Sequence, residues 1–340
     1  ILDSLEKVGK HKPKIFVTAT YNKPLKTYGV TEECKLTWDI NDIDIMKDNK
    51  TNMKDNPIRD RFGHEIYDDT MRFFNNDIEK IRDSYSYYPK PYLMTSIWDY
   101  GFLHKEKDKL DDSNYGFDMK KVFANDAGSG KFKNESQIKN MFHYFFGFPD
   151  KSLKYGDQHI YRQRGIIPRI KKICGNNCRT MQSPLHKTSQ LWFLPYGMGM
   201  KIADTVTCLV NLFSKDSNFK DIINEYHFYI AVEIKDKNYD NMNFTSMKDP
   251  HNIKDEIKTL EGELNEGKKN GNNLIILAGA RLQLGISLSN VDIVVLWNTI
   301  MSSDANFQML FRSMTEVKGL PPCESNSYCN EKKFGFMVDL

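Results

Sequence analysis

Long apolar runs are missing from this 340-residue sequence. The most hydrophobic stretches, such as 291–297, are strand-sized. None approaches the ~18 residues that a membrane-crossing helix needs. No cationic, apolar and small-residue leader follows Ile1, so a soluble intracellular protein with no membrane partner is expected. Charge of one sign is missing too. Lys+Arg 48 stand against Asp+Glu 45, leaving +3. Composition therefore carries no bulk attraction to polyanions, and any such binding must rest on local basic surface. Cysteine is sparse: Cys34, Cys174, Cys178, Cys208, Cys323 and Cys329. No short C-x2-C pair occurs. Cys174 and Cys178 could supply two zinc ligands, with Cys323 and Cys329 as a remote second pair, but the spacing is imperfect. Free buried thiols are the commoner outcome, and no metal site is assigned.

Catalytic signatures are equally few. There is no G-x-x-x-x-G-K-[ST] phosphate loop. Gly128-Ser-Gly130-Lys131 is glycine-rich, but it follows no apolar strand and Phe132 replaces the hydroxyl. No Asp-Glu pair closes a strong strand, so the usual magnesium carboxylates are absent. Neither a G-x-S-x-G elbow nor an H-E-x-x-H helix occurs. His143, His159 and His186 have no ligand spacing. Asp68 and Asp69 cannot be told from solvated surface. Asn243-Phe-Thr245 matches a glycosylation acceptor, a chance match without an export signal.

What is present is a globular pattern. Hydrophobic residues make up 40% and aromatics 12%, enough for packed cores and against full disorder. A short strand is expected at 14–19 and another at 36–40, followed by an exposed loop at 41–57. Residues 60–83 carry apolar residues at roughly helical spacing. A strand is expected near 92–97, a flexible or inserted region over 104–134, and a helix over 135–146 ending near Gly147 and Pro149. Residues 150–190 read as irregular, and as basic at 162–172. From 191 strands and helices alternate: strands at 191–194, 226–234, 274–277, 292–297 and 334–338, helices at 201–213, 251–266 and 304–315. Segment 235–249 reads as a polar loop. Continuous apolar strands alternating with helices predict an α/β domain with a parallel sheet over about 185–340.

Three segments leave their strands with suggestive residues. Thr18-Ala-Thr20 ends a strand with two hydroxyls, groups suited to sensing a phosphate; an ordinary strand exit is the alternative. In 278–290, Arg281, Gly285, Ser287 and Ser289 offer backbone N–H groups, hydroxyls and a guanidinium to phosphate oxygens; strain-relieving glycines are the alternative. Gln308-Met-Leu-Phe-Arg312 puts Gln308 and Arg312 four apart on a helix, so they share a face. Arg312 suits a γ-phosphate arriving from another domain. An ion pair with Glu316 explains it equally well.

The order of these segments resembles superfamily 2 helicases and translocases. Thr18-Ala-Thr20 is similar to the family's third motif, Leu191–Pro195 to the opening strand of its second domain, 278–290 to the fifth motif and Gln308–Arg312 to the sixth. The ensemble is also similar to divergent helicase-like proteins of giant DNA viruses, whose AT-rich genomes suit the abundant Asn, Lys, Ile and Tyr. The resemblance implies a RecA-like parallel-sheet domain over 185–340, the end of a first RecA-like domain over 1–40, and an α-rich interdomain or accessory insert over 41–184. It implies a fragment whose parent binds ATP and Mg²⁺, while the fragment holds neither tightly and is inactive alone. Arg312, with Gln308, takes the catalytic role. Gly285, Ser287 and Arg312 bind nucleotide, and Thr18 and Thr20 couple hydrolysis to domain closure. Arg281 and Ser289 contact a DNA or RNA backbone. Expected partners are the missing N-terminal RecA-like domain and viral proteins, in a viral factory or virion. A non-catalytic nucleic-acid-binding subunit, or a virion or transcription-complex scaffold, is the competing expectation. It gains from Thr315, which stands where the sixth motif commonly carries a second arginine.

Overall fold

The computed structural model describes residues 88–95 with scattered positions from 73, then 119–126, 128–148, 155–174, 189–197, 200–234, 239–271, 273–279, 282, 288, 291–298, 303–315, 332 and 334–340. The expectations at 14–19, 36–40 and 41–57, and most of the helical pattern at 60–83, lie outside them.

Seven parallel strands form one sheet: β1 (Lys90–Thr95), β2 (Ser189–Phe193), β3 (Tyr226–Ala231), β4 (Phe244–Ser246), β5 (Asn273–Ala278), β6 (Val291–Leu296) and β7 (Phe334–Asp339). Their order is β1-β7-β6-β2-β5-β3-β4, and every pairing is parallel. The helices are α1 (Met119–Val122), α2 (Glu135–Phe146), α3 (Tyr155–Arg164), α4 (Ile166–Cys174), α5 (Ile202–Lys215), α6 (Lys220–Glu225), α7 (Ile253–Asn265) and α8 (Ser303–Leu310). This is the expected α/β architecture. Its physical basis is visible in β2, β3 and β6, where every residue is buried. Strands covered on both faces need continuous apolar runs.

The pleat sorts side chains between two cores. On β6, Ile293 and Val295 face one core, with Val206, Leu209, Phe213 and Trp192. Val294 and Leu296 face the other, with Ile253, Ile257, Leu260 and Met309. Thus α5 and α2 cover one face of the sheet, while α7 and α8 cover the opposite one.

Segment 41–184, expected as an accessory insert, supplies part of the same core in its described residues. β1 extends the sheet beyond β7. From α2, Phe142 stacks on Trp192 with centroids 5.7 Å apart and planes 7° apart. Phe145 meets Trp192 and Trp297 edge-on or tilted at 5.4 and 5.2 Å. A two-faced parallel sheet requires such cover, and α5 alone leaves the indoles of Trp192 and Trp297 unscreened.

Three local expectations change. The polar segment 235–249 contains β4, whose three residues are too short for alternation to show; Phe244 is buried. The stretch 150–190 contains α3 and α4, hidden because Gly165 and Pro168 break the pattern where the chain bends. The last helix ends at Leu310 and tightens into a 3-10 turn over Phe311–Met314.

Candidate functional site

In an open parallel sheet, ligands sit beyond the carboxyl ends of the strands, where successive connections turn to opposite sides. Here β2 and β6 are neighbours. The chain leaves β2 toward β3 and β4 on one side and leaves β6 toward β7 on the other. The crevice therefore opens between Leu194–Gly197 and Trp297–Asn298. Two backbone bonds fix its floor: Leu194 N–H donates to Ala278 O at 2.9 Å, and Trp297 N–H to Phe193 O at 2.9 Å.

Beyond β2 the chain turns at Gly197, whose φ is +90°, and enters α5. The exit of β5 passes against the start of that helix. A Cβ on Gly279 would lie 2.5 Å from Ile202 Cδ1, so a side chain there would have to displace that terminal methyl. Asn298 is 8% exposed, and its Oδ1 is buried without a hydrogen bond. An unsatisfied buried acceptor costs roughly 1–3 kcal/mol, a cost that a ligand donor in the crevice would remove. In the β6–β7 register Leu296 pairs with Asp339. Burial holds the Asp339 carboxyl above the usual carboxylate range, because the half-buried sheet edge disfavours its charged form. On the β3–β4 side, Glu256 accepts from Tyr229 Oη at 2.9 Å and from Asp249 N–H at 2.7 Å. That carboxylate locks the entry to α7 and, together with the larger effect of burial, pushes the Tyr229 hydroxyl well above its ordinary value.

Of the sequence-derived candidates, Thr18, Thr20, Arg281, Gly285, Ser287 and Ser289 lie outside the described residues. Gln308 is on α8, which leaves the carboxyl end of β6 and runs back along the sheet. Arg312 is in the 3-10 turn, about 13 Å along the helix axis from Ser303 at ~1.5 Å per residue. That turn packs on β7: a Cβ on Gly335 would lie 2.5 Å from Ser313 O. Lys332 is buried and donates to Thr315 O at 3.2 Å and to Val291 O. Arg312 thus sits toward the amino ends of β6 and β7, away from the crevice. It is half-buried, and desolvation holds its guanidinium below its ordinary value, yet a guanidinium stays charged at neutral pH. Glu316, the alternative partner for Arg312, lies outside the described residues. Helical turns end at Met314 and Thr315 is extended, with ψ 123°.

The glycine-rich loop lies elsewhere. Gly130, with φ +65°, packs against Asn211, whose Nδ2 donates to Gly130 O at 3.0 Å. Beside it a cavity of about 340 Å³ is lined by Lys131, Lys139, Lys215, Glu135 and Asp216. Lys139 bridges Glu135 at 2.8 Å and Asp216 at 2.7 Å. Mixed charge of this kind makes a helix-to-helix clamp and no phosphate cradle. Cys174 is a buried thiol on the inner face of α4, and Cys178 lies outside the described residues. Among the described residues, no group of three or more His, Cys, Asp or Glu is placed to hold a metal ion. No described helix is long and apolar enough to cross a membrane. Sequence reading missed Asn298 and Asp339. The only signal for either was its place at or just past the end of an apolar strand.

No family model matches the chain, and no curated protein matches it. Among solved structures, the C-terminal part of the Fun30 ATPase domain is similar at 14% identity and a TM-score of 0.26, covering 88% of this chain and 78% of that one.

Proposed function

We propose that this chain contains the second, RecA-like motor domain of a nucleic-acid-dependent ATPase of the superfamily 2 helicase and translocase type. The observation that carries the reading is topological. A seven-stranded parallel sheet of order β1-β7-β6-β2-β5-β3-β4 is consistent with a RecA-like domain, and the Gln308–Arg312 segment follows its β6 strand in the chain. The described edge residues do not form a magnesium site: Asp339 stands without a second carboxylate beside Asn298. Binding of ATP and Mg²⁺ falls to a domain with a phosphate loop, which this sequence lacks. There the nucleotide supplies the hydrolysable γ-phosphate bond. This chain's part is electrostatic. Arg312, on the outer turn beside β7, presents a permanent cation to the facing domain, where negative charge grows on the transferred group. Gln308, one helical turn earlier, supports that approach. Thr18 and Thr20 couple closure, and Arg281, Gly285, Ser287 and Ser289 bind phosphate oxygens.

The test uses the polypeptide that carries both domains. Hydrolysis stimulated by DNA or RNA should fall by roughly 10³-fold or more in Arg312→Ala, the scale of an arginine finger. Stimulated turnover unchanged by that substitution overturns the assignment. A second reading, a nucleic-acid-binding scaffold without turnover, is favoured by Thr315. It stands where a second arginine is common, and its carbonyl is bound by Lys332. Binding of nucleic acid with no stimulated turnover in the two-domain polypeptide selects this reading.

A further inference from the structure

α3 and α4 form a bent helical arm on the outer side of α2. Pro168 has no N–H to donate to Arg164 O, so the helix bends near Gly165. The bend is packed backbone to backbone. A Cβ on Gly165 would lie 2.4 Å from Tyr144 O, and one on Gly147 would lie 2.2 Å from Pro168 Cγ. The inner face of α4 buries Ile166, Ile167, Ile170 and Cys174. Its outer face, continued onto α3, exposes Arg162, Arg164, Arg169, Lys171 and Lys172.

No acidic residue occurs between positions 158 and 174. The five cations make no ion pair with a described residue, although the chain as a whole is nearly balanced at +3. This one arm therefore holds more positive charge than the net for the whole protein, and the remainder is net negative. Helix dipoles favour a cation or two in each last turn. They do not account for Arg169, early in α4, nor for a run from 158 to 174 without one carboxylate. Clustered like charges on one helix face cost stability. A polyanion lying across the face offsets that cost.

We infer that the outer face of α3–α4 is a docking surface for the sugar–phosphate backbone of a nucleic acid duplex, separate from the strand-end crevice. The inference rests on the nucleic-acid reading above for the identity of the polyanion, and on nothing about ATP. A duplex fits better than a single strand because, among the described residues of the arm, the one aromatic ring, Tyr161, is half-buried edge-on to Tyr144, and unstacked bases need exposed rings to lie on. It fits better than a membrane because the exposed apolar residues described on the arm, Ile160 at 46% and Ile173 at 38%, stand on different helices, one within α3 and one at the end of α4, and form no continuous stripe. Backbone contacts of this kind are sequence-independent and steeply dependent on salt.

The experiment measures binding of the 340-residue chain to a labelled duplex of ~20 base pairs, without nucleotide, across a salt series. Arg162→Gln, Arg164→Gln, Arg169→Gln, Lys171→Gln and Lys172→Gln are combined in one variant. A control variant carries Lys254→Gln, Lys258→Gln and Lys268→Gln on and beside α7, across the sheet. A third carries Arg162→Lys, Arg164→Lys and Arg169→Lys, which keeps the charge. The arm variant should bind at least about tenfold more weakly, with a log–log salt slope shallower by about 0.9 for each phosphate that is no longer neutralised. The control and the charge-keeping variant should stay within about twofold of wild type, as charge-driven binding requires. Equal weakening in arm and control variants, or none in the arm variant, overturns the proposal. So does tighter binding to phosphatidylserine-containing vesicles than to the duplex. If the arm variant misfolds, weakened binding by the folded Arg-to-Lys variant likewise counts against it. An arm that fails this test leaves the Arg312 outcome untouched, and the reverse also holds.

Discussion

His227 shows how much a single buried residue can impose on this fold. Its side chain is buried at the start of β3, with Nε2 2.9 Å from Thr245 Oγ1 and Nδ1 3.2 Å from Asn270 O. Burial above all, with a further push from the nearby Lys269 charge, lowers the imidazole to about 4 from an ordinary 6.5. Between those values the unfolded chain takes up a proton that the folded chain refuses. Stability is therefore full above the unfolded value and declines as pH falls from there toward the folded value. The size is on the order of 3 kcal/mol, because each tenfold change in proton affinity is worth about 1.4 kcal/mol. His227→Gln retains a polar side chain but cannot titrate. Urea midpoints of the two proteins should diverge in slope through that acid window and run parallel near neutrality. Identical slopes would show that His227 is charged in the folded state. At this scale the sequence was least informative. Asn298 and Asp339 differ from any surface Asn or Asp only through the burial that the sheet edge confers. Gln308 and Arg312 stood out because they sit among apolar residues at helical spacing.

At the scale of elements, long periodic segments were legible. The helix expected over 135–146 has those bounds in the structure, because Phe142, Phe145 and Phe146 lie on the face that the core needs. The strands beginning near 191, 226, 274, 292 and 334 were visible as apolar runs, since burial on both faces leaves few polar positions. The α3–α4 arm was not legible: it is short, polar outside, and interrupted by Gly165 and Pro168. Its attachment makes a prediction. Gly147 ends α2 with φ +74°, and Gly267 follows α7 with φ +71°. Only the first is crowded, by Pro168; nothing lies within 4 Å of a Cβ at Gly267. Alanine at Gly267 should cost about 1–2 kcal/mol, the penalty of the left-handed backbone. Alanine at Gly147 should cost roughly 1–3 kcal/mol more, because overpacking there displaces α4. Thermal melts of the two variants measure the difference. Equal destabilisation would mean that the arm is not seated on the end of α2.

At the scale of the whole molecule, the question is where the folding unit begins. Sequence pattern alone suggests a domain starting near 185, because alternation of strands and helices becomes regular there. The packing points farther upstream. Trp192, Trp297 and Phe213 are covered by Phe142, Phe145 and Phe146 from α2, and Phe123 adds a ring against Trp297 at 5.9 Å. Fully burying one such side chain is worth roughly 1.5–3 kcal/mol. Removing all of these phenylalanines, while exposing the indoles beneath, takes away an amount comparable to the ~5–15 kcal/mol that stabilises a domain. β1 also closes the β7 edge in a six-residue parallel register, and an open apolar edge strand invites association. A chain cut to 185–340 should therefore bind a hydrophobic dye, lack near-ultraviolet ellipticity and melt without cooperativity. A chain cut to 86–340 keeps β1, α2 and the arm, and should melt as one unit. Cooperative unfolding of 185–340 with native ellipticity would place the boundary at 185 and reduce β1 and α1–α4 to an appendage. Non-cooperative behaviour of both would move the required contacts upstream of β1.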